Sequence, residues 1–364
     1  MKITKVLTDI LDVPEDDPLA DMPEEAGRTR PFVALRIQTD AGIEGIGLTL
    51  YGAAMTGALR TALDELGALI IGDDPLRIEW IARKLSTAAG DSCGPAGIFM
   101  LAASAIDTAL WDIKGKALEQ PLWRLLGGLR DRVPTYASGA LRRGLTDDQS
   151  VTAARRLLDR GFIEMKTQMA LPGNPTVSDE VRRVRLVREA IGPDIKLMCD
   201  INQRWRPEQA IDIGRRVEDV GLFWLEDVTA CDDFAGLARV TAALSTPVAG
   251  GEYVWGMVPF RHMIEARSVD IVMVDLVRVG GITQWMKVAG MAAAFNLPVV
   301  SHLLPEIHVH LIAAAPNGLT VEYMPWTLAL FEETPRLEQG QLVLPERAGL
   351  GLKFDAGAFK AFKA

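Results

Sequence analysis

The sequence is poor in the residues that mark disulfide-rich, zinc-thiolate and nucleic-acid-binding proteins. Its three cysteines, Cys93, Cys199 and Cys231, are widely spaced without a CxxC pair, so neither a disulfide framework nor a thiolate zinc site is predicted. The net charge of −9 offers no basic footprint for a nucleic acid. No apolar run reaches the length of a membrane span, and the N-terminus MKITKVLTDILDV lacks a signal-peptide core. We therefore predict a soluble cytoplasmic protein without membrane or nucleic-acid partners.

What the chain does have is a large apolar fraction with two kinds of periodicity. Of its 364 residues, 49% are hydrophobic and 24% are charged, as in a well-packed globular protein. Residues 1–50 alternate like strands, and residues 53–128 follow a helical period that includes a small-residue face of alanines. We predict an α+β domain over residues 1–128 and a barrel over residues 129–335. A tail over residues 336–364 is predicted to return to the first domain.

Seven charged or ionisable residues punctuate the apolar segments of the second half, at intervals of 20 to 34 positions. Each interval accommodates one strand, one helix and two short loops, which is the repeating unit of a βα barrel. Every one of these residues falls at or just past a strand end, on the face where barrel enzymes build active sites. Single acidic residues there are often turn formers or helix N-caps, but the ordered set favours a site. The residues are Lys166, Asp200, Glu226, Glu252, Asp275, His302 and Glu322.

Three of these carboxylates predict a metal centre. Asp200, Glu226 and Glu252 offer only oxygen ligands, and such hard ligands favour Mg²⁺, with Mn²⁺ as the alternative, over zinc. Asn202, two residues after Asp200, is expected to point the same way along the strand and to bond the substrate or a metal-bound group. Cys199 is expected to point to the opposite face as a buried structural residue.

Asp275 and His302, on neighbouring predicted strands, form a candidate general base. A carboxylate held against one imidazole nitrogen fixes the tautomer and raises the basicity of the other nitrogen. The other histidines receive no catalytic role. His308 and His310 lie in a predicted helix, where residues two apart diverge, and His262 also lies in a helical run.

Together these motifs resemble the enolase superfamily, and within it the mandelate racemase subgroup. The similarity covers nearly the whole chain, in the segments AASAIDTALWDIKGKALEQPLWRLLGG, KxQ from Lys166, DxN from Asp200, LED at Glu226, GGE at Glu252, VDLVRVGGIT at Asp275, SHLLPEI at His302 and VEYMPW at Glu322. The resemblance implies an α/β fold, a modified (β/α)₇β TIM-type barrel with an N-terminal α+β capping domain. It also implies Mg²⁺ held by Asp200, Glu226 and Glu252. Lys166 and Glu322 would stabilise the substrate enediolate, and His302 with Asp275 would be the base.

Two departures from the family pattern bear on the reaction. Racemases of this subgroup carry a second lysine at the position of Gln168, and glutamine cannot take a proton near neutral pH. Val228 replaces a usual proline and is expected to alter only a loop. With one base, the predicted reaction is dehydration of an acid sugar, an aldonate or an aldarate, to a 2-keto-3-deoxy acid. The alternatives are a racemase or epimerase with Lys166 as second base and, less in keeping with the intact site, a catalytically silent binding relative.

The remaining predictions concern substrate contacts and a lid. Gln168, Asn202 and Ser138 are assigned to substrate binding. The resemblance implies that the segment from Pro14 to Arg30, with YGAAMTG, forms a specificity lid over the site.

The outer residues of the site left alternatives open. Arg142 and Arg143 either meet a second substrate carboxylate or, as we favour, are solvated surface residues. Trp205, Trp255 and Trp326 either wall the pocket or are buried in the barrel rim. The expected partners are a small-molecule carboxylate and further copies of the chain, in a homo-oligomer between a dimer and an octamer.

Overall fold

The computed structural model describes residues 1–15, 19, 28–50, 52–90 and 94–364. Cys93, Tyr51 and most of the predicted lid segment between Pro14 and Arg30 lie outside the described residues. No helix in the described ranges is long and apolar enough to span a membrane.

An antiparallel sheet and the helices packed on it form the N-terminal part. The strands pair in the order β1 (Ile3–Pro14), β2 (Thr29–Thr39) and β3 (Glu44–Thr49). The helices are α1 (Thr56–Leu69), α2 (Ile78–Leu85), α3 (Gly97–Ala117) and the short α4 (Leu122–Leu125). This part is the N-terminal α+β region that the sequence predicted.

The alanine face of α3 explains how the helix approaches the sheet so closely. Ala105 and Ala109 lie opposite two glycines of β3. A Cβ atom at Gly47 would lie 2.2 Å from the carbonyl oxygen of Ala105, and one at Gly45 would lie 2.2 Å from that of Ala109. Because no side chain fits there, the helix and the sheet pack backbone to backbone.

Parallel strands close into a barrel, with helices between them. The strands are β4 (Arg132–Leu141), β5 (Glu164–Gln168), β6 (Lys196–Asp200), β7 (Trp224–Glu226), β8 (Val248–Gly250), β9 (Ile271–Asp275), β10 (Val299–His302) and β11 (Val321–Tyr323). Each strand from β4 to β10 pairs in parallel with the next, and β11 pairs in parallel with β4. Beside β10, the Leu319 N–H donates to the Val299 carbonyl, which closes the ring.

The helices fill the intervals between successive barrel strands. They are α5 (Asp147–Asp159), α6 (Val177–Ile191), α7 (Pro207–Arg216), α8 (Phe234–Ala243), α9 (Met257–Glu265), α10 (Leu276–Val279), α11 (Ile282–Ala294) and α12 (Pro305–Ala314). Both α10 and α11 lie between β9 and β10. Capping boxes at Thr146 and Thr176 start α5 and α6, each cap contributing about 1 kcal/mol. The predicted (β/α)₇β barrel is confirmed.

Side chains fill the inside of the barrel, so we expect a ligand site at the carboxyl ends of its strands. Tyr136, Met198, Trp224, Met273 and Val300 are among the residues of this inner cluster. The Tyr136 and Trp224 rings meet edge to face with centroids 5.4 Å apart. This layer lies below the residues at the carboxyl ends of the strands and supports them.

Thr283 at the start of α11 is one place where the N-terminal part contacts the barrel. In α3, the Asp107 carboxylate accepts from the Thr283 N–H at 2.9 Å, at the start of α11. The Trp111 indole donates to the Thr283 hydroxyl at 2.8 Å. Burial raises the pKa of Asp107 to about 6, although the Thr283 hydrogen bonds oppose the shift.

The C-terminal tail touches both parts of the molecule. Its hairpin, β12 (Arg336–Glu338) and β13 (Gln341–Val343), pairs with the beginning of β4, where Leu342 lies opposite Val133. The last helix, α13 (Ala356–Phe362), contacts β1. The domain bounds 1–128, 129–335 and 336–364 remain predictions.

Candidate active site

The carboxyl ends of the barrel strands open into a cavity of about 690 Å³, within the roughly 300–1,000 Å³ typical of small-molecule sites. Residues of the N-terminal part, Glu15, Arg28, Arg30 and Leu50, cover one side of it. Its wall includes eight of the predicted site residues, Ser138, Lys166, Gln168, Asp200, Asn202, Glu252, His302 and Glu322. The other two, Glu226 and Asp275, are buried directly behind the wall in contact with Lys166 and His302.

The backbone turns sharply where several of these strands end. Ala170, Asn202, Asp227 and Leu303 follow β5, β6, β7 and β10 closely, with φ angles of 58°, 50°, 44° and 57°. Non-glycine residues in this left-handed region are strained by about 1–3 kcal/mol each, and such strain concentrates at functional sites. The turn explains Asn202, which the sequence placed on the strand itself. Strand β6 ends at Asp200, and the left-handed turn brings the Asn202 amide back to the Asp200 carboxylate, 2.8 Å away.

His302 is held by one carboxylate and faces another. Its Nδ1 lies 2.6 Å from Asp275 Oδ2, and its Nε2 lies 3.4 Å from Glu252 Oε1. Burial alone would lower the pKa of His302, but Glu252 and the Asp275 hydrogen bond raise it to about 9. A cation that neutralised Glu252 would lower this pKa and free Nε2 to accept a proton.

Asp275 is fixed as a carboxylate by several donors. Its Oδ1 accepts from the N–H groups of Val277 and Arg278 at 3.0 and 2.7 Å, at the start of α10. The Arg278 guanidinium lies 3.5 Å from Oδ2. Burial alone would raise the pKa of Asp275, but Arg278 and His302 lower it to about 2. Asp275 therefore orients the imidazole without taking up a proton near neutral pH.

Lys166 lies between two carboxylates, one on each side. Its Nζ donates to Glu226 Oε1 and, at 2.9 Å, to Glu322 Oε1. Burial opposes the charge, but Glu226 and Glu322 outweigh it and raise the pKa of Lys166 well above its ordinary value. Glu322 also accepts from the Ser138 hydroxyl and the Leu303 N–H, both at 2.7 Å. Burial alone would raise the pKa of Glu322, but Lys166 and His302 lower it to about 2.

The remaining carboxylates form a crowded cluster. Ligand atoms of Glu226, Asp227 and Glu252 all lie within 4.8 Å of one another. Burial and the charges of Glu226 and Asp200 raise the pKa of Asp227 well above its ordinary value. Burial raises the pKa of Glu252 to about 8. The charge of His302 opposes this shift, and the charge of Asp227 adds to it. Asp200, the third predicted ligand, is not among the described residues whose ligand atoms meet within this distance, and its Oδ2 lies 3.8 Å from Lys166 Nζ.

This cluster fits a hard divalent cation. The donors are all carboxylate oxygens, and the cysteine of β6, Cys199, is buried on the other face of its strand, as predicted. Asp227 Oδ2 is buried and has no hydrogen-bond partner among the described residues. Buried carboxylates that repel one another and lack donors are costly unless a cation balances them.

Gln168 and Asn202 connect the cluster to an arginine that the sequence analysis placed in solvent. Arg143 is half-buried, and its backbone N–H and Nε donate to Gln168 Oε1 at 3.2 and 3.3 Å. Its Nη2 donates to Asn202 Oδ1. Arg142 lines the cavity. The prediction that Arg142 and Arg143 are solvated surface residues was therefore wrong, because the β4–α5 loop folds over the ends of β5 and β6.

The three tryptophans have different surroundings. Trp326 lines the cavity, and the Arg30 guanidinium stacks 3.3 Å from its ring centroid. Trp205 is buried, and Trp255 packs against the main core. Only the pocket-wall alternative for Trp326 and the burial alternative for the other two are met.

The other buried histidines have backbone partners. His308 Nδ1 donates to the Leu303 carbonyl at 2.7 Å. His310 Nε2 donates to the Leu350 carbonyl at 3.0 Å, and its Nδ1 accepts from the Trp123 N–H. Both therefore help to fix the backbone around α12.

Several functional candidates were missed from the sequence. Strand alternation alone would put Asp227 on the face opposite Glu226, and no residue type in the sequence signals its left-handed backbone, with φ of 44°. Arg278 was detectable, because it follows Asp275 by three residues in a short helix, a spacing that brings side chains together. Its Nη1 donates to the Glu252 carbonyl at 3.0 Å, and its guanidinium lies 5.0 Å from the Tyr253 ring centroid.

Two family models match the chain. Residues 9–127 match the N-terminal domain of mandelate racemase and muconate lactonizing enzyme. Residues 149–358 match the enolase C-terminal domain-like family.

Characterised relatives match over nearly the full chain. An L-talarate/galactarate dehydratase of Salmonella typhimurium is 34% identical over 93% of this chain and 85% of its own length. A 3,6-anhydro-alpha-L-galactonate cycloisomerase of Streptomyces coelicolor is 32% identical over 97% of each chain. The crystal structure of an L-talarate dehydratase from Polaromonas, complexed with Mg and L-glucarate, superposes with a TM-score of 0.90. It is 32% identical and covers 100% of this chain and 97% of that one.

Proposed function

The chain belongs to the enolase superfamily, in the mandelate racemase and muconate lactonizing enzyme group, and from this premise we propose that it is a Mg²⁺-dependent dehydratase of an acid sugar. The main support is that the cavity holds one oriented base. His302 presents Nε2 to the cavity while Asp275 holds Nδ1. Gln168 stands where a second base would be, and Lys166 is ion-paired on both sides.

Asp200, Glu226 and Glu252 would hold the cation, with Asp227 beside them. When bound, Mg²⁺ acts as a Lewis acid that polarises the substrate carboxylate and makes its α-proton removable. The all-oxygen donor set of Glu226, Asp227 and Glu252 and the unpartnered Asp227 oxygen support a cation at this place, and Asp200 is assigned from the family resemblance.

The residues of the chain then carry the proton transfers. His302 Nε2 takes the α-proton, and the C–H electron pair moves into the carboxylate as an enediolate. The Lys166 ammonium stabilises that negative charge, and Glu322, ionised by its donors, holds Lys166 in place. The His302 imidazolium returns the proton to the β-hydroxyl, which leaves as water while a C=C bond forms. The resulting enol tautomerises to the 2-keto-3-deoxy acid.

The test is to incubate the Mg²⁺-loaded enzyme with a panel of acid sugars in D₂O. We expect a 2-keto-3-deoxy acid from at least one of them, with one turnover releasing one water. A racemase would instead introduce deuterium into substrate of both configurations without forming a keto acid, and a silent relative would exchange nothing. Either result contradicts the proposal.

We also propose that the enzyme is a homo-oligomer of two to eight subunits that works in the cytoplasm. Light scattering of the purified protein gives the subunit number, and fractionation of cells gives the location. A monomer in solution would contradict the first statement, and recovery outside the cytoplasmic fraction would contradict the second.

A further inference from the structure

A strained turn follows the candidate base His302. Leu303 and Leu304 have φ angles of 57° and 45°, in the left-handed region that side chains other than glycine rarely adopt. Pro305 follows them as the first residue of α12. The residue before a proline favours extended backbone, which Leu304 does not have. Such a conformation persists only where the surrounding structure holds it, so this turn depends on the contacts that fix it.

Hydrogen bonds hold the turn at three of its backbone polar atoms. The Leu303 N–H donates to Glu322 Oε2 at 2.7 Å. The Leu303 carbonyl accepts from His308 Nδ1 at 2.7 Å. The Leu304 carbonyl accepts from the N–H groups of Ile307 and His308, both at 3.0 Å. His308 therefore binds both carbonyls of the strained pair, one through its side chain and one through its backbone.

The His308 side chain makes this one hydrogen bond and no other among the residues described. It is fully buried, and its Nε2 has no hydrogen-bond partner in the described part of the chain. Burial lowers the pKa of His308 to about 4, so the ring is neutral near neutral pH. A carbonyl can only accept, which places the ring proton on Nδ1. The imidazole thus carries one N–H and donates it to the Leu303 carbonyl.

A tryptophan of α11 packs against His308 and contacts the strand that bears Asp275. The Trp285 and His308 rings meet edge to face, with centroids 6.0 Å apart. The Trp285 indole N–H donates at 3.2 Å to the carbonyl of Val274, the residue before Asp275. Where β9 pairs with β10, Asp275 lies opposite His302. One buried pair of rings therefore contacts the backbone next to both members of the Asp275–His302 dyad.

We propose that His308 is a positioning residue for His302. By holding the Leu303 carbonyl it fixes the backbone that directs the His302 imidazole, so that Nδ1 stays on Asp275 and Nε2 faces the cavity. His308 is not among the residues that line the cavity, so it acts through the Leu303 peptide. The inference rests on the proposed function, in which His302 is the base. Its consequence for the rate follows because a displacement of about 1 Å in a reacting group can slow a reaction about 100-fold.

Two amide variants separate the position of the donor from its presence. In His308→Asn the side-chain NH₂ can lie where Nδ1 lies, whereas in His308→Gln it reaches the place of Nε2. For the acid sugar that wild type dehydrates, we expect His308→Gln to lower kcat about 10- to 100-fold, between the loss of one hydrogen bond and a displacement of about 1 Å. KM should change less than about twofold, because no substrate contact is lost. His308→Asn should keep kcat within about threefold of wild type, because the hydrogen bond is retained.

A purely structural role for His308 predicts a different pattern. Both variants would then unfold at a lower temperature, while the folded enzyme would keep the kcat of wild type. Equal kcat in wild type and His308→Gln, or equal losses in the two amide variants, would overturn the inference. If His308→Gln does not fold, His308→Leu, which removes the donor and fills much of the same space, takes its place in the comparison.

The control is His310→Gln, at the other buried histidine of α12. His310 donates to the Leu350 carbonyl and accepts from the Trp123 N–H, both away from the turn at Leu303. His310→Gln should leave kcat and KM unchanged, whatever its effect on the unfolding temperature. A loss of kcat equal to that in His308→Gln would mean that any disturbance of α12 slows the reaction, which contradicts a specific role for His308.

NMR separates this inference from the proposed function. The chain has four histidines, so labelling histidine with ¹⁵N gives few ring signals. The proton of the 2.6 Å hydrogen bond between His302 Nδ1 and Asp275 Oδ2 is identified by its loss in His302→Asn. In Mg²⁺-loaded protein at one pH, its signal should be unchanged in His308→Asn and shifted or broadened in His308→Gln. An unchanged signal in both variants contradicts the positioning role. A signal shifted in this way, in an enzyme that dehydrates no acid sugar, contradicts only the proposed function.

Discussion

Two sets of carboxylates share the mouth of the barrel, and they differ in how their charges are balanced. Asp275 and Glu322 are buried, yet hydrogen-bond donors and nearby cations lower the pKa of each to about 2, against the effect of burial. Glu226, Asp227 and Glu252 are equally buried. Burial and mutual repulsion raise the pKa of Glu226 and Asp227 well above the ordinary range and that of Glu252 to about 8.

The comparison teaches that burial alone does not decide what a carboxylate does here. Asp275 and Glu322 accept hydrogen bonds from donors of the chain itself. Both are therefore ionised, and they orient His302 and Lys166. In the second set Glu226 accepts from Lys166 and from the Trp224 indole, but Asp227 Oδ2 has no donor among the described residues. A bound cation would therefore favour the ionised form of this set. The same barrel end thus holds an acid–base pair oriented by the chain's own donors and a carboxylate cluster whose oxygen donors fit a divalent cation.

The largest expected effect comes from removing His302, the base that Asp275 orients. His302→Asn deletes the Nε2 acceptor while asparagine still reaches toward Asp275. If His302 is both base and acid, kcat should fall by more than about 10⁴-fold, beyond the typical contribution of a single proton transfer. Substrate should still bind, because its carboxylate contacts lie elsewhere. The measurement is the rate of α-deuterium incorporation by NMR, together with keto-acid formation.

The same NMR experiment tests the alternative base. Deuterium entering the His302→Asn reaction at the wild-type rate would mean that another residue, in first place Lys166, removes the proton. The protein would then belong with the epimerases, and the dyad would be a structural feature.

The second effect concerns the carboxylate cluster of Glu226, Asp227 and Glu252. Glu252→Gln removes one negative charge, so Mg²⁺ affinity and activity should fall together. Loss of a direct ligand should exceed the 10–100-fold typical of outer-sphere changes, giving at least about 100-fold weaker binding by titration calorimetry. Glu164→Gln is the matched control, since Glu164 is also buried in the barrel but is paired with Lys196 at 2.7 Å, away from the cluster. Unchanged Mg²⁺ affinity in Glu252→Gln would rule out its assignment as a ligand.

The third effect concerns Asp227, which joins the cluster through its left-handed backbone. Asp227→Asn keeps the shape and removes a charge from the crowded set. Without metal, the variant should unfold at a temperature at least equal to that of wild type. Added Mg²⁺ should stabilise it less, with an affinity weakened roughly 10–100-fold if Asp227 acts beside the ligands. Calorimetric unfolding with and without Mg²⁺ gives both quantities, and equal Mg²⁺ stabilisation in variant and wild type would assign Asp227 a packing role beside Gly250.

Much of the fold could be predicted because the signals are periodic and local. The intervals between Lys166 and Glu322 matched the βα repeat. In the structure four of the marked residues end their strands, Asp200, Glu226, Asp275 and His302, and Glu252 follows β8 by two residues. Lys166 and Glu322 lie within β5 and β11 instead of at their ends. The alanine face of α3 predicted close packing, and the glycines of β3 supply the space for it. These features follow from spacing and residue size, which a sequence displays directly.

The site could be predicted only as far as strand alternation holds. Asp227 and Asn202 owe their positions to left-handed residues after the strand ends, and no residue type in the sequence announces that turn. Arg143 was placed in solvent because a loop arginine usually is, whereas its partners, Gln168 and Asn202, lie 25 and 59 residues away along the chain. Contacts of such sequence separation become visible only once the barrel has closed.

The smallest expected effect tests whether Glu322 needs all of its hydrogen-bond donors. Ser138 was assigned to substrate binding, but in the structure its hydroxyl donates to Glu322 Oε1 at 2.7 Å, the oxygen that Lys166 also contacts. Ser138→Ala should shift Lys166 and lower kcat about tenfold, the lower end for a hydrogen bond to a charged group, with little change in KM. Ser301→Ala is the control, because the Ser301 hydroxyl accepts from the Glu322 backbone N–H at 2.8 Å and leaves the carboxylate's donors intact. Steady-state kinetics of both variants decide the point. A raised KM with unchanged kcat in Ser138→Ala would mean that the hydroxyl contacts the substrate, and that Glu322 keeps its low pKa with two donors alone.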